Sequence, residues 1–163
     1  MINSISGRLS LRAPPRESLE ALAIAINSTG GQLIDPKHNV TALLEHALEP
    51  GSCDWFEVIA AGDIVPAKKP AADIYTYALE KMKLPASACL AFEDSENGIR
   101  SSQGADLKTL ITINDYTKDH DFTGAAIVLS DLGEADKSFT TIAGDNHGFD
   151  FVNVEMLKVI HQS

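Results

Sequence analysis

The apolar residues of this chain form short continuous runs that are separated by amphipathic segments. The continuous runs are typical of strands buried on both faces of a sheet, and they are Phe56–Ala60, Ala88–Phe92, Leu107–Ile113 and Ala125–Leu129. The amphipathic segments have the apolar spacing of helices, and they are Asn39–Leu48, Ala72–Lys83 and Val152–His161. Strands that alternate with helices in this way predict a parallel sheet covered by helices on both faces.

The segment before residue 39 allows two interpretations. In the first, Arg16–Asn27 is a helix and Gln32–Ile34 is a short strand. In the second, Ala21–Ile26 is itself a buried strand. Short apolar runs fit both the helical and the strand period, so the pattern leaves both alternatives open.

The composition indicates a globular chain with an acidic surface. Of its 163 residues, 44% are hydrophobic, which is enough for a packed core. Its 13 basic and 23 acidic residues give a net charge of −10, which argues against nucleic acid or an anionic membrane as a partner. No apolar run reaches the roughly 18 residues of a membrane helix, and the N-terminus lacks the pattern of a secretory signal. We therefore expect a soluble cytoplasmic protein, or a protein of the plastid stroma if the source is a photosynthetic eukaryote.

Two adjacent carboxylates follow one of the predicted strands, at the end where a parallel sheet binds ligands. Glu93 and Asp94 come directly after the run Ala88–Phe92. Such a pair needs a compensating positive charge, and Mg²⁺ favours one or two carboxylates together with water and phosphate oxygens. The pair is therefore a candidate metal site. The alternative is two solvated loop acids in front of a helix that Ser95 caps.

A pair of lysines, Lys68 and Lys69, stands between the predicted strand Phe56–Ala60 and Pro70. A lysine at this position can lie at the same sheet edge as the acids, where it can neutralise a phosphate group or a carboxylate. The alternative is a solvated basic pair on the surface. Spacing alone leaves both alternatives open.

Two stretches of the chain, Val65–Tyr75 and Leu90–Ile99, together resemble two motifs of the haloacid dehalogenase superfamily. The resemblance is greatest to its beta-phosphoglucomutase-like or CbbY-like branch. In that family the lysine before proline, here Lys69, contacts the phosphoryl group and the nucleophilic aspartate, and the acidic pair, here Glu93 and Asp94, binds Mg²⁺. The resemblance implies a phosphatase or phosphomutase of small sugar phosphates, which transfers a phosphoryl group to an aspartate with the help of Mg²⁺.

The resemblance covers residues 39–133 best, whereas residues 1–35 match poorly. It implies one partial core domain over residues 1–163, with a three-layer, Rossmann-like fold that lacks the first core strand and the helical cap. The family carries its nucleophile on that strand, in an Asp-x-Asp-x-Thr/Val motif, and no Asp-x-Asp precedes Asp35. We therefore expect weak or no activity of the chain alone. The alternative is a non-catalytic binding or assembly protein derived from the same fold.

Two further positions depart from the family pattern. The family needs Ser or Thr at a strand end to hold a phosphate oxygen, but one alignment places Leu33 or Ile34 there. The other offers Ser28 or Thr29, and Ser28 is our candidate for phosphate binding. The family also usually has glycine where this chain has Asp106, at a left-handed position that ends a helix.

The missing strand is central to the sheet of the family. Its neighbours in this chain would be the strands that end near Ile34 and at Phe92. Unpaired backbone groups in a buried gap are costly. We therefore expect the chain to close the gap, to borrow a strand from a partner or a second copy of itself, or to fold poorly.

Overall fold

The computed structural model describes residues 23–26, 36–48, 50–61 and 64–163. The strands are β1 (Ala23–Ile26), β2 (Val58–Ala61), β3 (Leu90–Glu93), β4 (Lys108–Thr112), β5 (Ile127–Leu129) and β6 (Thr141–Gly144). The helices are α1 (Pro36–Ala47), α2 (Asp73–Met82), α3 (Glu96–Gly104) and α4 (Val154–Gln162). Helices and strands alternate from β1 to β4, as the apolar pattern predicts.

The strands form two sheets that share no hydrogen-bonded pair. Strands β1 and β2 form a parallel pair. The larger sheet has the order β3-β4-β5-β6, in which β3, β4 and β5 are parallel and β6 is antiparallel to β5. Within the described ranges, no strand lies between β1 and β3 and no helical cap domain is present. Within the described residues the chain therefore does not close the expected gap by pairing β1 with β3.

Helices cover both faces of each sheet. Successive residues of a strand point to opposite sides, so they pack with different helices. In the larger sheet, the cluster on the α4 side consists of Leu110, Ile127, Leu129, Phe139, Met156 and Ile160. The cluster on the α3 side consists of Ile99, Ile111 and Val128. In the smaller sheet, Ala61 packs with α1 and Ala60 packs with α2. These layers confirm the predicted three-layer α/β fold.

The second interpretation of the N-terminal part is correct for the described residues, and the helix Arg16–Asn27 is wrong there. Residues Ala23–Ile26 form a strand because the parallel ladder with β2 satisfies their backbone groups. The apolar spacing fits both periods, so this tertiary pairing decides between them. The alternative strand Gln32–Ile34 lies outside the described residues, and so does Ser28.

All the elements predicted after residue 39 are present, with ends shifted by at most three residues. Strand β6 is an addition that the apolar pattern does not predict.

Asp106 has a φ of 59°, so it adopts the left-handed conformation that the family resemblance implies. In the part of the chain that the structure describes, no helix is both long enough and apolar enough to span a membrane.

Lys108, the first residue of β4, caps the C-terminal end of α4. Its Nζ donates hydrogen bonds to the carbonyl oxygens of Ile160 and His161, at 3.1 Å each. A cation there satisfies unpaired carbonyls and opposes the negative end of the helix dipole. We expect Lys108→Met to lower the free energy of unfolding by about 1 kcal/mol, as measured by urea denaturation. Lys158→Met, at an exposed position of α4, is the control, and an equal loss in both variants would contradict this role.

Candidate functional site

The carboxyl ends of the two sheets are joined by an ion pair between Lys69 and Glu93. Lys69 lies in the loop between β2 and α2, and Glu93 is the last residue of β3. The Nζ of Lys69 donates to Oε1 of Glu93, and the two side chains are only 12% and 6% exposed. The structure thus brings the lysine before proline together with the first residue of the acidic pair. This contact therefore joins two sheets that share no pair of hydrogen-bonded strands.

The loop that carries Lys69 is held by hydrogen bonds on both sides. Ser101 of α3 donates its hydroxyl to the carbonyl oxygen of Ala71, at 2.6 Å. The backbone N–H of Ala67 donates to Oδ2 of Asp73, the first residue of α2, at 3.2 Å. These bonds tie the loop to two helices, so the position of the Lys69 amine is determined by the packed core rather than by a mobile turn.

Tyr75 is a third member of the site, although the sequence pattern predicts no role for it. Its hydroxyl donates a hydrogen bond to the same Oε1 atom of Glu93 that Lys69 contacts. The Nζ of Lys69 also lies 5.3 Å from the centre of the Tyr75 ring. Burial, followed by the negative charge of Glu93, raises the pKa of Tyr75 far above its ordinary value, so the phenol remains a protonated donor. The sequence did contain a sign of this role. Tyr75 follows Ile74 on the buried face of the helix, and a buried hydroxyl needs a hydrogen-bond partner.

The first turn of α3 lies against the other side of the Glu93 carboxylate. Ser95 is the N-cap of this helix, as predicted, and its Oγ accepts a hydrogen bond from the backbone N–H of Gly98 at 3.2 Å. Gly98 has no Cβ, and a Cβ placed on it would overlap the Oε2 atom of Glu93. The Glu93 carboxylate is therefore enclosed by the Lys69 loop, by α2 and by α3.

Asp94 is exposed, and it makes no hydrogen bond or ion pair with the described residues. Among those residues, no group of three or more His, Cys, Asp or Glu side chains forms a ready metal cage. Two carboxylates fit Mg²⁺ better than they fit Zn²⁺ or Ca²⁺, because Mg²⁺ keeps several waters and takes few protein ligands. Glu93 and Asp94 would hold the ion, which would supply positive charge to phosphate oxygens.

The remaining candidate residues for phosphate or charge contacts are Ser28 and Lys68. Ser28 lies outside the described residues, and Lys68 is exposed. The loop after β4 reaches the start of α3, where Nδ1 of His120 accepts a hydrogen bond from the backbone N–H of Glu96 at 3.2 Å. The sequence did not predict this contact, because the two residues are 24 positions apart and have no shared periodicity.

The family of this chain follows from these features and from a match to a family model. The model described as haloacid dehalogenase-like hydrolase matches residues 19–106. The chain belongs to the haloacid dehalogenase-like hydrolases.

Within that family the chain is similar to CbbY proteins. It is 44% identical to Protein CbbY of Rhodobacter capsulatus, over 70% of this chain and 47% of the relative. It is 34% identical to the CBBY-like protein of Arabidopsis thaliana, over 58% of this chain and 30% of the relative. The chain thus spans about half of the length, or less, of these curated relatives.

Solved structures show the same relationship. CbbY from Rhodobacter sphaeroides, crystallised as a mutant with xylulose-(1,5)-bisphosphate, has a TM-score of 0.58 and 36% identity, over 68% of this chain and 46% of that chain. The complex of CbbY with phosphate has a TM-score of 0.57. Beta-phosphoglucomutase from Clostridium difficile has a TM-score of 0.52 and 17% identity, which shows a shared fold alone.

Proposed function

We propose that this chain carries the metal-binding and phosphate-binding part of a CbbY-like phosphatase of small sugar phosphates. The observation that carries the proposal is the buried Lys69–Glu93 ion pair beside the exposed Asp94, at the carboxyl edge of the sheet. Lys69 neutralises the phosphoryl group, Glu93 and Asp94 hold Mg²⁺, and Ser28 is a further candidate for holding a phosphate oxygen. The CbbY complexes with phosphate and with xylulose-(1,5)-bisphosphate support the substrate class.

We further propose that the chain alone has weak or no turnover. In the family an aspartate on the first core strand attacks phosphorus, and Lys69 with the two acids supplies only binding and electrostatic stabilisation. A segment that pairs with β1 and β3 would bring this aspartate from a partner chain, whereas a second copy could fill only the strand gap, because no Asp-x-Asp precedes Asp35. In this proposal residues 1–163 form one partial core domain, in which residues 39–133 fit the family best and residues 1–35 fit it least.

A second candidate function is a non-catalytic binding or assembly protein. Strands β1 and β3 are each paired on one side only within the described residues. On β3, Phe92 is 45% exposed, although Leu110, its partner in the β4 register, is fully buried. An open strand edge with an exposed aromatic side chain supports pairing with an added strand. The net charge of −10 does not favour nucleic acid as the partner.

Titration of the purified chain with Mg²⁺ in a calorimeter tests the first candidate. We expect the chain to bind Mg²⁺ and Asp94→Asn to weaken the affinity by about 10-fold or more, because one of two carboxylate ligands is lost. The substitution leaves the packing intact, since Asp94 is exposed. Asp136→Asn, which changes an exposed acid in the loop between β5 and β6, is the matched control. Equal affinities in all three proteins, or no binding by the parent chain, would reject the metal site, and partner binding without Mg²⁺ would favour the second candidate.

A further inference from the structure

Three residues contact the Glu93 carboxylate and restrict its orientation. Lys69 and Tyr75 both donate to Oε1. Gly98 leaves room for Oε2 where any larger residue would overlap it. The carboxylate therefore has one favoured orientation, with one oxygen engaged by the protein and the other against the first turn of α3.

We propose that Tyr75 and Gly98 are positioning residues that set the orientation of the Glu93 carboxylate, so that Oε2, which accepts no hydrogen bond from the described residues, is the oxygen left for the cation. This inference rests on the proposed function, because it concerns the same metal site. Hydrogen-bond partners that orient a carboxylate ligand determine much of the affinity of a metal site. Neither residue contacts the metal or the substrate in this role.

Tyr75 gives Glu93 a second hydrogen-bond donor, whose position is more restricted than that of the Lys69 amine. A lysine amine is a compact charge with three rotatable donors, and in the proposed site it also serves the phosphoryl group. The Tyr75 hydroxyl is buried and donates to Oε1, so it offers one donor from a fixed position. Glu93 therefore keeps its orientation when the lysine turns toward a phosphate.

Gly98 acts by its size. Alanine is usually favoured over glycine inside a helix. At this position, however, the added Cβ would overlap Oε2 of Glu93 and would turn the carboxylate away. We expect Gly98→Ala to lower the urea midpoint of the chain, and to raise it in a Glu93→Ala background. A rise in both backgrounds would overturn the role of Gly98.

Calorimetric titration with Mg²⁺ alone tests the role of Tyr75. We expect Tyr75→Phe to weaken Mg²⁺ binding by about 10-fold, and the matched variant Tyr77→Phe, which changes a half-buried tyrosine of the same helix, to bind as the parent chain does. Equal affinity in Tyr75→Phe and Tyr77→Phe would overturn the role of Tyr75.

A metal-free measurement separates this inference from the proposed function. The ¹³C NMR signal of the Glu93 carboxyl, assigned by its loss in Glu93→Gln, should shift in Tyr75→Phe and Gly98→Ala but stay in place in Tyr77→Phe. If the parent chain binds no Mg²⁺, the proposed function fails while this signal still decides the positioning role. An unchanged signal in Tyr75→Phe would overturn the inference, whatever the metal titration gives.

Discussion

Addition of a segment that carries the Asp-x-Asp-x-Thr motif on a strand, followed by a helical cap, is expected to create Mg²⁺-dependent phosphatase activity in this chain. We expect hydrolysis of an aryl phosphate to rise on the order of 10³-fold or more, because loss of a nucleophile costs enzymes at least that much. Strands β1 and β3 each have an open edge within the described residues, so an added parallel strand can pair with both. The added aspartate would then lie at the same sheet edge as Lys69 and Glu93.

The control for this reconstitution is the same segment with asparagine in place of both aspartates. It should bind equally well and raise the urea midpoint equally, since it satisfies the same strand edges, but it should give no turnover. Asp94→Asn in the chain should also abolish the gain. Equal turnover with the two segments would show that the added strand does not supply the nucleophile.

Lys69→Met is expected to destabilise the chain by about 3 kcal/mol, the lower end of the cost of breaking a buried ion pair. The substitution leaves the Glu93 carboxylate, whose side chain is 6% exposed, with the Tyr75 hydroxyl but without a counter-charge. Urea denaturation at neutral pH measures the loss. Lys118→Met, at an exposed position in the loop after β4, should change the free energy of unfolding by less than about 0.5 kcal/mol.

A double-mutant cycle assigns this loss to the ion pair. In the double variant Lys69→Met with Glu93→Gln, the buried charge is absent and Tyr75 can still donate to the amide oxygen. We therefore expect the double variant to be more stable than the sum of the two single losses predicts. Losses that add within about 0.5 kcal/mol would mean that the pair is not coupled in the folded chain.

The core of this fold could be predicted from the sequence because its strands are continuous apolar runs. The run that ends at Phe92 becomes β3, and the acids after it mark the end of the strand. Two elements were harder to predict for opposite reasons. Residues Ala23–Ile26 have an apolar spacing that fits a helix as well, and only the ladder with β2 makes them a strand. Strand β6 is largely exposed, so it has no apolar signal, and antiparallel pairing with β5 alone defines it.

The site could be predicted only as far as its local motifs reach. Lys69, Glu93 and the N-cap Ser95 stand out because each occupies a characteristic position beside a strand or helix end. Tyr75 and Gly98 act through contacts with Glu93 that depend on how α2 and α3 pack. Such contacts follow from tertiary structure, so residue spacing gives no direct sign of them.

The most direct measurement is Mg²⁺-dependent hydrolysis of an aryl phosphate by the purified chain, with Asp94→Asn as the control. We predict no hydrolysis by the parent chain above that of the variant, because the described site contains Lys69, Glu93 and Asp94 without an attacking aspartate. Hydrolysis that requires Mg²⁺ and disappears in Asp94→Asn would contradict this prediction. Another residue of this chain would then have to serve as the nucleophile.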